Sequence, residues 1–278
     1  MSIKEKWTKW WNGVLNTLIG IRVFFLLKIL RKNSTIIDGY RSIYNKGYVL
    51  KKDIPVDEFI PVNKGNWGSA RPDMDSVFVE EMVLKQGSIV RITTRAEEET
   101  GKDWEGNPST KPTISGLAQT DYVYQPEGMY SAIIYQDDRA LGSWDAWWFF
   151  GQKTEDRDYQ EVDMIERFFD EEKHANTLTT SVHFAYKEEE RNMYNSSIKI
   201  DDKGLPYLLS IEFLDEHMKL YYNGLLIFKG LQWKPKDGMR MIVGSGILGN
   251  CFYGEVKDRL EEKEYFLEVS EMKKWIKE

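Results

Sequence analysis

The chain has 278 residues, 45 acidic against 38 basic side chains, a formal net charge of −7 and one cysteine. That length suits one large domain or two small ones, and 41% hydrophobic with 30% charged residues describes a folded soluble protein, neither disordered nor multispanning. A lone Cys251 excludes an intrachain disulfide and a cysteine-rich zinc ribbon, and a three-histidine metal centre would consume His174, His183 and His217 together.

Residues 1–32 carry Lys4, Lys6, Lys9, Arg22, Lys28, Arg31 and Lys32 against Glu5, a net +6, which leaves −13 on the remaining 246 residues. An acidic body speaks against nucleic acid as the partner, because phosphate binding needs clustered Lys and Arg. In the basic head, Trp7, Trp10 and Trp11 precede an apolar run from Val14 to Leu30 that Arg22 and Lys28 interrupt, so no uncharged stretch approaches the ~20 residues of a membrane span. Nor does a small-residue cleavage site follow. Read as a helix, Lys9, Asn12, Asn16, Gly20, Lys28 and Arg31 gather near one face. Two uses fit such a helix: an interfacial anchor with tryptophans at the headgroups, or docking on another protein. The expected layout is this appendage over 1–32, a linker over 33–59 and a β-domain over 60–278.

From about Ile60 the chain turns to short segments rich in β-branched and aromatic residues, separated by turn residues. Ser88–Arg95, Met129–Gln136, Trp144–Phe150, Leu178–Tyr186 and Met239–Val243 read as strands, the pattern of an all-β sandwich. Asn223-Gly224 between Met218–Tyr222 and Leu225–Phe228 predicts a hairpin, since both residues accept the positive φ of a type I′ turn. Glu97 to Pro112 has loop chemistry throughout. Val256 to Glu278 is ambiguous: its Glu, Lys and Leu favour helix, yet Tyr265–Ser270 alternates like a strand.

The chemistry concentrates in Gln160-Glu161-Val162-Asp163-Met164-Ile165-Glu166-Arg167-Phe168. In a regular strand Glu161 and Asp163 share a face, and Glu166 points the other way. One bulged residue between Asp163 and Glu166 restores the parity and aims three acids at one side. Two glutamates with an aspartate between them are the set that retaining glycoside hydrolysis uses: one attacks the anomeric carbon, the other protonates the leaving oxygen and then activates water. Retention asks for carboxyl groups ~5–5.5 Å apart. Five residues of straight strand would separate the Cα atoms by roughly 16 Å, so curvature, bulge and converging side chains must close the gap. A proton donor also needs a raised pKa, which a neighbouring carboxylate and partial burial favour.

Gly142-Ser-Trp144-Asp-Ala-Trp147-Trp148-Phe-Phe150-Gly151 stands upstream of this cluster, and Thr179-Thr-Ser-Val-His183-Phe-Ala-Tyr186 downstream. Together the three blocks resemble glycoside hydrolase family 16, the laminarinase, agarase and carrageenase group, with its Gly-x-Trp-Pro-Ala-Phe-Trp, Gly-Glu-Ile-Asp-Ile-Met-Glu and Val-His blocks in that order. Weaker echoes at Ser76–Arg95, Leu209–Phe213, Leu220–Gly224 and Phe266–Ser270 extend the resemblance over about residues 60–278. It implies a concanavalin A-like jelly-roll, with Glu161 as nucleophile, Glu166 as general acid/base and Asp163 tuning the nucleophile. The five-residue spacing resembles the bulged branch of the family and not the four-residue lichenase branch. Gln160 replaces the family's glycine, Asp145 its proline, and Ile133 stands where arginine is usual.

On that resemblance the protein is a retaining endo-hydrolase of a β-linked polysaccharide. No cofactor is required, and a structural calcium ion of the kind many members hold has no identifiable ligand set here. The rivals are a carbohydrate-binding or structural surface protein on the same fold, and a transglycosylase using the same triad. Sugar rings present apolar C–H faces that stack on indoles. Trp144, Ala146, Trp148 and Phe150 share one strand face and Asp145, Trp147 and Phe149 the other; one set lines the groove and the other the core, and the resemblance implies Trp144 and Trp148 for the groove. His183 is expected to bond a carboxylate or sugar hydroxyl. A head without a cleavable signal fits a surface-tethered extracellular enzyme or a virion-borne one. Gly244-Ser-Gly246-Ile-Leu-Gly249 matches a dinucleotide fingerprint, but the residues after it do not read as a helix to receive a pyrophosphate. Cys251 reads as a packed residue and not a nucleophile.

Overall fold

The computed structural model describes residues 35–66, 68–137, 142–151, 159–168, 177–186, 189–199, 204–214, 217–231, 238–249 and 263–278, with 10, 14, 15, 17–19 and 260; at 159, 167, 168, 177–186, 189–199, 217 and 231 it describes backbone only. Among these residues two sheets face each other. The larger runs β15 (Leu225–Leu231), β14 (His217–Tyr222), β13 (Tyr207–Phe213), β8 (Gly128–Gln136), β17 (Tyr265–Lys277), β5 (Ile89–Lys102), β6 (Pro108–Ser115), β3 (Ser76–Phe78); β1 (Tyr48–Asp53) also pairs with β17 and β4 (Val83–Gln86) with β5. The smaller runs β12 (Glu189–Lys199), β11 (Thr177–Tyr186), β10 (Tyr159–Phe168), β9 (Ser143–Gly151), β16 (Arg240–Ile247), β7 (Leu117–Thr120), β2 (Phe59–Pro61). This is the expected all-β jelly-roll sandwich.

Strand alternation builds the core. Tyr130, Ala132 and Ile134 of β8, Leu209 and Ile211 of β13, and Leu267 and Val269 of β17 meet Trp147 and Phe149 of β9 and Val162, Met164 and Ile165 of β10 in one cluster. Each strand of such a pair sends every second side chain inward. The predicted hairpin forms: Asn223 and Gly224 have φ of 46° and 81° between β14 and β15. Asn223 also accepts from the Leu208 amide through Oδ1 at 2.7 Å.

Three expectations change. The segment expected as a linker over 33–59 is largely structured. Residues Ile36–Asn45 form a helix with a reciprocal capping box, Asp38 N donating to Thr35 Oγ1 at 3.2 Å and Thr35 N to Asp38 Oδ2 at 3.1 Å. The Thr-x-x-Asp spacing is the signal that betrays it. Its Ile43 packs with Tyr48, Met129, Leu208, Tyr221 and Trp275 on the outer face of the larger sheet, and β1 then adds to β17. Under this helix the buried Glu212 accepts from Tyr48 Oη at 2.8 Å and Tyr221 Oη at 2.7 Å. Burial, then the Glu212 carboxylate, holds both phenols well above their ordinary pKa, so they stay donors.

Residues 97–112, expected as loop, are mostly the polar ends of β5 and β6, paired from Glu99↔Lys111 to Lys102↔Pro108; only 103–107 make a turn. Both faces carry exposed residues there, so composition imitates a loop while the ladder supplies the order. The ambiguous C-terminal run resolves as strand β17, with Glu271 at φ 47° beside a register shift that returns Met272 and Trp275 to buried positions. Its Glu and Lys residues occupy the less buried positions while Leu267 enters the core, and sheet burial overrides their helix propensity.

In the head, the described residues Trp10, Val14, Leu15 and 17–19 are helical. Ile19 joins the main core, with Leu15 packed against it, while Trp10 is 55% and Leu18 58% exposed. The cationic side chains of this segment lie outside the described residues.

Replacing Thr35 with alanine removes the hydroxyl half of the capping box, the acceptor for Asp38 N, and leaves the backbone donation from residue 35 to Asp38 Oδ2 in place. The expected loss is about 1 kcal/mol of unfolding free energy, read from denaturant titration.

Candidate active site

The acid-bearing strand β10 lies between β9 and β11. Glu161 pairs with Phe150, Val162 with Phe149 and Asp163 with Trp148; then the register slips, and Ile165 pairs with Trp147 and Glu166 with Ala146. Against β11 the same slip falls between Asp163↔Ser181 and Glu166↔Thr179. Met164 is the extra residue. Directly paired residues share a sheet face, so Glu161, Asp163 and Glu166 all lie on the face of Trp148 and Ala146. Val162, Met164 and Ile165 are fully buried in the core. Two consecutive core residues, Met164 and Ile165, are thus accommodated by the bulge, and the parity of Glu166 is reversed as the spacing required.

The slip also shortens the site. Glu161 and Glu166 stand opposite residues four apart on β9, so their Cα atoms are separated by roughly 13 Å along the sheet at ~3.3 Å per residue, less than a straight five-residue run gives. Both glutamates are partly exposed, while Asp163 between them is buried. Glu166 is further held by Trp144, whose Nε1–H donates to Oε1 at 3.3 Å.

The expected aromatic division of β9 is present. Trp147 and Phe149 enter the core; Trp144, Ala146 and Trp148 cluster on the acid face with Met74, Phe78 and Ile242. Trp144 and Trp148 meet edge to face at 5.8 Å. That packing leaves them only 5% and 6% exposed, so neither offers an open ring face, which departs from the groove-lining expectation. Trp144 acts through its N–H. Its ring needs the bare backbone of β16: a Cβ on Gly244 would stand 3.3 Å from Trp144 Cζ3 and 3.1 Å from Leu117 Cδ1. The glycines of the dinucleotide-like motif therefore serve sheet packing, with Gly244 and Gly246 inside strand β16 opposite Ala146 and Trp144.

Gln160 stands where the resemblance predicts glycine and fits because its partner Gly151 has no side chain; a Cβ there would come within 2.6 Å of Gln160 Cγ. Asp145 lies buried on the core face of β9, accepting from Gln136 Nε2 at 2.8 Å, while Tyr207 Oη donates to Gln136 Oε1 at 2.9 Å. Ile133 packs towards the outer helix cluster, away from the acids. His183 stands opposite Glu161 in the ladder; its side chain lies outside the described residues, as does Cys251. Among the described residues no group of three or more His, Cys, Asp or Glu side chains could hold a metal ion.

Sequence reasoning missed the segment that caps the acid face beside Trp144. The guanidinium of Arg71 lies 6.0 Å from the Trp144 ring and 5.5 Å from that of Trp104.

No protein-family model matches the chain, and no curated protein matches it in sequence. Solved structures match it in fold. The κ-carrageenase of Pseudoalteromonas carrageenovora, in complex with an oligotetrasaccharide of κ-carrageenan, is 14% identical with a TM-score of 0.61 over 84% of this chain and 93% of that one. The laminarinase catalytic domain of Thermotoga maritima is 14% identical, with a TM-score of 0.63 over 83% and 99%. A structure described with endo-acting O-glycanases by which human gut microbiota initiate mucin breakdown is 13% identical, with a TM-score of 0.66 over 84% and 92%. The chain therefore has the β-sandwich fold of the family 16 glycoside hydrolases.

Deleting Met164 should leave an unbulged Glu-x-Asp-x-Glu strand in the same register, still folded, at a cost of about 2–5 kcal/mol for one buried methionine. Inserting alanine after Met164 should cost more, because the changed parity turns Glu166 into the apolar core. Urea unfolding of the two variants checks the order.

Proposed function

We propose that the protein is a retaining endo-glycoside hydrolase that cuts a β-linked polysaccharide. The observation that carries this reading is the bulge at Met164, which sets Glu161, Asp163 and Glu166 on one face with both glutamates partly exposed. Glu161 attacks the anomeric carbon as the glycosidic C–O bond breaks, and Glu166 gives its proton to the leaving oxygen. Glu166 then takes a proton from water, whose oxygen displaces Glu161 and releases the sugar with its configuration retained. Asp163, buried between them, orients the nucleophile, and the Trp144 indole positions Glu166. Trp148 is assigned to the floor of the trough and His183, opposite Glu161, to a polar contact with carboxylate or sugar. The fold neighbours that act on carrageenan, laminarin and mucin glycans support the substrate class.

The head is assigned to a lipid surface. Leu15 and Ile19, one helical turn apart, attach it to the sandwich, while Trp10 on the opposite side and Leu18 on the flank are exposed. A net +6 over residues 1–32 matches anionic headgroups. This arrangement suits a surface-associated or virion-borne enzyme meeting polysaccharide outside the cell.

Two measurements test these assignments. Reducing ends should appear from at least one of laminarin, agarose, κ-carrageenan and mucin O-glycans, with the first product in the retained anomer by NMR. Glu166→Gln should lower kcat by about 10²–10⁴-fold, and Glu161→Gln should abolish turnover; equal release by wild type and Glu161→Gln sinks the hydrolase reading. A Trp10→Ser, Leu18→Ser double variant keeps the docking residues and should lose most cosedimentation with phosphatidylglycerol-containing vesicles. Undiminished binding would rule out the anchor.

A further inference from the structure

Trp104 is 55% exposed, yet it is not a loosely tethered surface residue. It sits on the 103–107 turn between β5 and β6, where the Asp103 carboxylate accepts from the amides of Glu105 at 3.0 Å and Asn107 at 2.7 Å. That turn is tied to the 63–75 segment by Gly68 N donating to Asp103 O and Ala70 N to Lys102 O, both at 2.9 Å. The indole lies directly on the Gly68 backbone. Gly68 has φ +75°, and a Cβ there would stand 2.5 Å from Trp104 Cζ3, so only glycine fits. Arg71 lies 5.5 Å from the same ring, its fork fixed by Asp73 through Nε–Oδ1 at 3.0 Å and Nη2–Oδ2 at 2.6 Å. Its guanidinium is also 6.0 Å from the Trp144 ring, whose N–H holds Glu166. A continuous chain of contacts thus runs from Glu166 to an exposed, immobilised indole at the rim.

Exposed apolar rings held rigid have already lost the conformational freedom that a binding partner would otherwise have to remove. An indole face offers large apolar area to a pyranose C–H face, and Arg71 has N–H groups beyond those bound to Asp73 for the sugar's oxygens. We propose that Trp104, backed by Gly68 and flanked by Arg71, is a distal sugar-stacking subsite, so that the protein grips an extended polysaccharide and not a short oligosaccharide. This rests on the reading of the acid-bearing trough as a glycan site. Among the described residues, Trp144 and Trp148 on that face are buried, and Trp104 supplies an open indole beside them.

Affinity electrophoresis of the full-length Glu161→Gln protein in gels containing laminarin, agarose, κ-carrageenan or mucin glycans separates binding from turnover. On the glycan that retards it, adding Trp104→Ala should weaken binding about tenfold, with Trp104→Phe, which keeps an aromatic ring on Gly68, intermediate in binding and close to the parent in unfolding midpoint. In the turnover-competent background Trp104→Ala should raise KM for the polymer by a similar factor while kcat holds, the pattern of lost uniform binding. A disaccharide-length substrate should show no difference. Equal retardation with and without Trp104, while wild type still releases reducing ends, overturns the subsite and leaves the hydrolase. Trp104-dependent retardation without any release keeps the subsite and removes the hydrolase; neither retardation nor release removes both.

Discussion

The site depends on a conflict between the period of a β-strand and the need to point three acids the same way. Side chains alternate, so acids five positions apart face opposite sides unless one residue is added to the count. Met164 is that residue, and both neighbouring strands accept the slip. What holds the bulge is the core: Val162, Met164 and Ile165 are all fully buried, and apolar burial at roughly 25 cal/mol per Å² fixes their side of the sheet. Orientation of the carboxylates therefore follows from where the apolar residues must go. The chemistry inherits its geometry from packing.

The same sheet shows how the aromatic residues of β9 divide their labour. Trp147 and Phe149 fill the interior, while Trp144 and Trp148 lie on the acid face beneath Met74 and Phe78. Packing around Trp144 fixes its ring so that its N–H meets the partly exposed Glu166. Gly244 of β16 leaves room for that ring and Gly246 for Met74 and Ser76, so a motif suggestive of phosphate binding is explained by packing across the sheet. With those two rings enclosed, an exposed indole near the site comes, among the described residues, from a distant turn, Trp104, reached through Arg71.

Much of the sandwich was legible. The expected strands at Ser88–Arg95, Met129–Gln136, Trp144–Phe150, Leu178–Tyr186 and Met239–Val243 lie within or overlap β5, β8, β9, β11 and β16. Their signals are local, since alternation and β-branching act residue by residue. Other parts were hidden for physical reasons. The Ile36–Asn45 helix is short and polar, stabilised by a capping box and by one buried face on the sheet, so composition alone resembles a linker. Polar strand ends at 97–112 are ordered by pairing and not by burial.

By itself the sequence determined the all-β class, the Asn-Gly hairpin, the division of β9 into two faces and the requirement for one extra residue between Asp163 and Glu166. Each of these follows from backbone periodicity or from the φ that a residue tolerates. Tertiary structure alone decided that Trp144 and Trp148 would be enclosed, that residues 36–53 would join the body, and that Arg71 and Trp104 would stand beside Trp144. Those outcomes depend on which segment covers which face, and contacts between residues far apart in the chain leave no periodic trace in either partner.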